Sequence, residues 1–248
     1  MGKFTINKKI YFLLGVVFIF VVWELISQLL NNNSLIFPSP IIVFKETINI
    51  LKGSYVYKCL YYTLIRMAVG FIIAIIFSMI LGTFSGLNIK FKYLLAPFVT
   101  MLKTIPTASL VFLFLVISGA KYAPIYIVVL ICFPILYESI VSGYENIDVA
   151  VADTLKLEKG SELTKIIKIR VPLCFPYLKL GIASSLGLSF KIEIMAEILT
   201  GSTTNGLGSA ISYIQKAEPT NMTGIFAYSL IAIAIALLFD LIVKETNK

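Results

Sequence analysis

Apolar residues in this chain run in long blocks, not in the one-in-two or three-in-seven patterns of half-buried strands and helices. Six blocks stand out: Ile10–Leu30, interrupted only by Glu24, then about Leu60–Leu87, Tyr93–Ser118, Tyr122–Gly143, Tyr177–Leu199 and Thr223–Val243. A helix crosses the hydrocarbon core with about 20 apolar residues. The pattern therefore predicts an all-α, polytopic membrane protein with about six transmembrane helices. The fifth block is the least hydropathic and is rich in Gly and Ser. Small residues let helices approach closely, which places this span among the others.

Composition supports lipid as the solvent. Of 248 residues, 58% are hydrophobic and only 14% charged, with a mean hydropathy of +0.94. A soluble domain of this size has too little interior for that apolar surface. The N-terminus, with Lys3, Lys8 and Lys9 before an apolar run, opens as a signal peptide does. The run is too long for one and lacks a small-residue cleavage site, so a retained first span is expected.

The net charge of +8 is spread thinly between apolar runs. No basic stripe with interleaved aromatics marks a nucleic-acid surface, so the charge reads as topology. One side carries Lys3, Lys8, Lys9, Lys90, Lys92, Lys156, Lys159, Lys165, Lys168, Arg170, Lys179, Lys244 and Lys248. The other carries Lys45, Lys52, Lys58, Lys121 and Lys216. The richer side is cytoplasmic, which puts both termini inside. The chain has no histidine, which removes His-ligated metals and His-based triads; neither a metal nor a cofactor is expected. Cys59, Cys132 and Cys174 form no CxxC pair and fall at different depths, so they read as apolar filler with no disulfide among them.

Between spans one and two, Asn31–Ser34 is a polar break and Phe37-Pro38-Ser39-Pro40 a rigid turn. Ile41–Leu51 has helical apolar spacing and is expected on the outer surface. No repeat or linker divides the chain, so residues 1–248 read as one membrane domain.

The longest cytoplasmic loop spans 144–176. Val151–Lys159 reads as a short helical piece that Gly160 breaks. Ser161 is a good N-cap, with Glu162 in the first turn. Leu163, Ile166 and Ile167 share one face, and Lys165, Lys168 and Arg170 suit the negative C-terminal end. Pro172 and Pro176 end this amphipathic pattern, while the helix is expected to run on through them into span five. Two readings fit: a surface helix whose lysines snorkel, or a knob that docks into a soluble partner's groove.

Ionisable groups at membrane depth mark function by default. Ser185, Ser189, Glu193 and Glu197 recur at i+4 on span five and form one polar face, with Lys191 off that face. This face either lines a translocation route or packs helices. Arg66 and Lys103 offer positive charge to an anion or snorkel, Glu138 is available to pair with one of them, and Glu24 beside Trp23 suits the outer interface.

The loop resembles the EAA loop of binding-protein-dependent ABC permeases. Asp153 stands at the family's Glu, Ser161 follows at the expected place, and Ile169-Arg170-Val171-Pro172 matches the I-x-L-P end. Thr154-Leu155 replaces the two alanines, and Gly160 comes one residue late, after Lys159. Further pieces resemble the family in order: Phe37-Pro38-Ser39-Pro40; Thr63-Leu64-Ile65-Arg66 with Gly70; Leu102-Lys103-Thr104-Ile105-Pro106; Phe133-Pro134; Ala196-Glu197; and Gly206-Leu207-Gly208. Glu138 stands where related permeases often carry Asn. The pieces point to the nitrate/sulfonate/taurine/bicarbonate-type branch, which also looks similar to permeases for thiamine precursors.

The resemblance implies a type I ABC importer permease, a homodimer in the cell membrane, moving a small solute inward. It implies two ATP-binding subunits inside and an extracytoplasmic substrate-binding protein outside. It also implies that Asp153, Gly160, Ser161, Leu163, Ile166, Ile167 and Pro172 couple the permease to the ATPase. No G-x-x-x-x-G-K-[ST] loop is present, so ATP hydrolysis falls to a partner and the chain itself reads as no enzyme. The competing reading is a secondary transporter driven by an ion gradient, which often shows half-to-half symmetry that this chain lacks.

Overall fold

The computed structural model describes residues 3–30, 33–157, 161–201 and 205–246. Among them there are helices and connecting turns and no strand. In chain order these are α1 (Lys3–Leu29), α2 (Pro40–Lys52), α3 (Ser54–Leu87), α4 (Ile89–Thr104), α5 (Thr107–Glu145), α6 (Val149–Leu157), α7 (Glu162–Lys165), a π-turn (Ile166–Arg170), α8 (Val171–Thr200), α9 (Leu207–Ala217) and α10 (Met222–Thr246). Ser54–Leu87, Thr107–Glu145, Ile166–Thr200 and Met222–Val243 are each long and apolar enough to cross a membrane, and Leu13–Leu29 is a shorter apolar helix. The all-α membrane architecture is the one the hydrophobic blocks predict.

The core lies where α5 packs against α3 on one side and α8 on the other. Ala74, Val111, Ala123, Ile127, Val128, Cys132 and Leu136 are fully enclosed there. Small residues set the spacing. A Cβ on Gly70 of α3 would stand 2.8 Å from the Ile125 carbonyl oxygen of α5. A backbone atom cannot swing aside, so Gly70→Leu should push α3 off α5. The expected loss is about 1–3 kcal/mol, as overpacking usually costs, read as a lowered melting temperature in detergent. A variant that melts with the parent would show that the two helices are not packed this closely.

One span departs from its expected course. The third was expected to run unbroken over Tyr93–Ser118, but α4 stops at Thr104. Ile105 and Pro106 are extended (ψ 130° and 125°), and a helical limb restarts at Thr107. The cause is Pro106, which lacks an N–H and excludes its predecessor from the helical region. The turn before the fourth span is carried by Gly119, at φ 73° and ψ 167°, a region open essentially to glycine alone. The outer turn is as expected: Pro40 opens α2 in the first helical position, where its missing N–H costs nothing. Trp23 of α1 donates to the Pro38 carbonyl at 3.0 Å and stacks among Phe20, Phe37 and Phe226.

Asn88 caps α4, its side chain accepting from the Lys90 and Phe91 amides. The α7 segment, the π-turn and α8 form one continuous helical path from Glu162 to Thr200. Pro172 and Pro176 do not interrupt it. The Val171 amide reaches back to the Ile166 carbonyl, five residues earlier. This wider turn shifts the ladder where Pro172 offers no donor.

Candidate functional site

Three clusters carry the candidate residues. The first joins α3, α8 and the start of α9. Ser185, Ser189, Glu193 and Glu197 are all fully buried. The polar face of span five thus points into the body of the subunit and away from lipid. Ser185 and Ser189 spend their hydroxyls on carbonyls one turn back in the same helix. Arg66 comes from α3, and its Nε donates to Glu193 at 3.1 Å. Its Nη2 pairs with Glu197 and also donates to the Asn205 carbonyl at 2.9 Å.

Glu197 is the hub. Besides Arg66 it accepts from the Thr63 hydroxyl at 2.9 Å and from the Gly208 amide at 2.8 Å. The Thr63 oxygen in turn accepts from the Leu207 amide at 2.9 Å. Gly206 supplies no side-chain cap to α9, so its first two amides are satisfied from two other helices. The positive end of α9 also favours an anion at that place. Gly208 lies against Ile194 and Ile198 of α8, while a Cβ on Gly201 would touch Lys216 at the far end of α9. The chain after Gly201 therefore returns to the depth of Ile194–Ile198 before α9 climbs out beside the end of α8. Irregular backbone at membrane depth persists only where protein covers it, and this cluster is the cover. Thr63 and the amides of 207 and 208 were absent from the sequence-derived candidates.

The second cluster joins α4 and α5. Lys103 pairs with Glu138 at 2.5 Å, with side chains 44% and 50% exposed. Lys92 pairs with Glu145 toward the other end of α4, and this hydrogen bond holds the Lys92 ammonium above its ordinary range. Between the two pairs lies an open groove of about 290 Å³ lined by Thr100, Tyr137 and Ser142 among others. Lys191 belongs to neither cluster. It is exposed on α8, and no salt bridge reaches it among the described residues.

The third cluster is the loop between α5 and α8. The Ser161 carbonyl accepts from the Lys165 amide at 3.2 Å, which puts Ser161 at the start of the helix as its sequence suggests. Ile167 is 66% exposed and Ile166 half-buried. Lys165 is buried and reaches Glu162 at 3.0 Å. Gly160 and the side chains of Asp153 and Leu163 lie outside the described residues. In the preceding helix Val149 and Leu157 are 73% and 84% exposed.

A bundle of long apolar helices, with one helix continuing into a loop that carries bare apolar residues, defines a polytopic membrane protein. The comparisons give it a family. Residues 74–245 match the family described as binding-protein-dependent transport system inner membrane component, and the chain belongs to it. It is 25% identical over 230 residues to the aliphatic sulfonates transport permease protein SsuC of Bacillus subtilis, covering 91% of this chain and 81% of that protein. It is 30% identical to the nitrate import permease protein NrtB of Leptolyngbya laminosa over 55% of this chain and 49% of that one. It is 29% identical to the bicarbonate transport system permease protein CmpB of Synechococcus elongatus over 72% and 63%. Among solved structures, an inward-facing MetNI methionine ABC transporter shares the fold. That likeness has a TM-score of 0.66 at 15% identity, over 78% of this chain and 94% of that one. The chain is the transmembrane permease subunit of an ABC importer, a multi-pass inner-membrane protein.

Proposed function

We propose that two copies of this subunit form the membrane pathway for a small oxyanion, with both termini cytoplasmic. An ATP-binding subunit docks on Ser161–Ile169, and a substrate-binding protein delivers the solute from outside. The observation that carries the coupling role is the uninterrupted helical path from Glu162 to Thr200. A push on the loop travels along a rigid element to Glu193 and Glu197, and through Arg66 and Thr63 to α3 and α9. The bare side chain of Ile167 gives a docking groove something apolar to hold. The oxyanion comes from the relatives, whose names specify sulfonates, nitrate and bicarbonate. Orientation follows from the lysine and arginine asymmetry. Lys103 and Glu138, open at membrane depth, are assigned to the pathway-facing side.

Ser161→Cys tests this reading. A membrane-impermeant maleimide should label it only from the cytoplasmic face, and bound ATPase subunits should suppress the labelling. Labelling from outside, or labelling indifferent to the ATPase, would overturn it.

A further inference from the structure

Helix α8 is packed against α3, α5, α9 and α10, yet one stripe of it stays open. Ser184, Leu188 and Lys191 are exposed and Met195 half-buried, while Ser185, Ser189, Ile192 and Ala196 one position on are closed. Lys191 also lines a groove of about 350 Å³ between α8, α9 and α10, whose other walls include Phe190, Ile194, Ile211 and Ile233. It stands nine residues below Thr200, the end of α8, which is about 14 Å of helix. Its four-carbon stem spans less than half of that, so the ammonium cannot reach the outer surface by snorkelling. An ammonium is poorly tolerated in hydrocarbon, so water or protein must cover it.

An acid of α10, Asp240, faces α8 from that side. It sits against Gly187, one turn below, with Oδ1 2.8 Å from where a side chain there would begin. No salt bridge joins the two. The other cation of the inner half-bundle, Arg66, is already committed to Glu193 and Glu197.

We infer that Lys191 is the anion-contacting, selectivity-determining residue of the translocation route, and that the Ser185–Glu197 face is not part of it. The inference rests on the oxyanion reading above. An oxyanion entering the open stripe meets an unpaired ammonium in an apolar, weakly screened setting, where one charge discriminates strongly against neutral and cationic solutes. Arg66 offers nothing comparable, since a passing anion would have to displace two carboxylates.

Two measurements on the complete transporter in proteoliposomes separate the claims. In the first, Lys191→Cys is exposed to the anionic thiol reagent MTSES. It should react, as should Ser184→Cys, while Ser189→Cys stays unmodified. Reaction of Lys191→Cys only with a membrane-permeant maleimide, or none at all, would overturn the inference. In the second, uptake of nitrate, bicarbonate and ethanesulfonate is measured. Whichever probe the parent carries should fall at least tenfold in Lys191→Gln and be largely kept in Lys191→Arg. Wild-type uptake by Lys191→Gln would contradict the assignment. So would restored uptake in Lys191→Asp combined with Asp240→Lys, which would make the pair structural. If the parent carries none of the three anions, the oxyanion reading fails, and the thiol chemistry still decides whether Lys191 faces the route.

Discussion

Replacing Arg66 with leucine should leave a subunit that barely assembles. The substitution strands Glu193 and Glu197, both fully buried, without their guanidinium. Breaking a buried ion pair by removing one partner costs about 3–5 kcal/mol, a large share of a marginal stability of about 5–15 kcal/mol. The damage extends to α9, because Glu197 would be repelled from the site where it holds the Gly208 amide. Melting in detergent and yield of folded protein read the effect. Removing the stranded charges as well, in Arg66→Met with Glu193→Leu and Glu197→Gln, should recover much of the loss, since apolar substitutes for a whole buried ionic set are often tolerated. An Arg66→Leu subunit as stable as the parent would refute the network's structural role.

The second large effect lies in the loop that leads into α8. Ile167→Asp should strip the ATP-binding subunit from a permease that still folds. Ile167 is exposed in the isolated subunit, so the change costs the fold little. Inside a docking groove, the same carboxylate would be desolvated and unpaired. That penalty runs to several kcal/mol, and each ~1.4 kcal/mol is tenfold in affinity. Co-purification should therefore drop a hundredfold or more, with the melting temperature of the permease unchanged. Normal capture of the ATPase and normal uptake would leave Ser161–Ile169 as a membrane-surface helix.

Most of the helices were legible because lipid imposes a long, simple pattern. What the pattern could not supply was helix boundaries governed by single residues. Pro106 ends α4 inside an apolar run that hydropathy reads as unbroken. At Pro172 the helix runs on as expected, but the π-turn that carries it through is a local detail with no signal in hydropathy. The site was legible in pieces only. Thr63-Leu64-Ile65-Arg66, Ala196-Glu197 and Gly206-Leu207-Gly208 stood out separately, and the structure brings all three to one cluster. No spacing rule links Thr63 with Glu197, 134 positions apart; that contact depends on how α3 and α8 pack. The i+4 ladder on span five announced a buried face correctly. It did not say that Arg66 and the amides of α9 would occupy that face.

The central claim is that this subunit moves solute on energy supplied by an ATP-hydrolysing partner. Uptake in proteoliposomes that hold the permease, its ATPase and its binding protein tests it most directly. Solute entry should require ATP on the side where Ser161 lies, stop when ATP is replaced by a non-hydrolysable analogue, and persist when proton and sodium gradients are collapsed. Entry driven by an ion gradient in the absence of ATP would contradict the account and make the protein a secondary transporter.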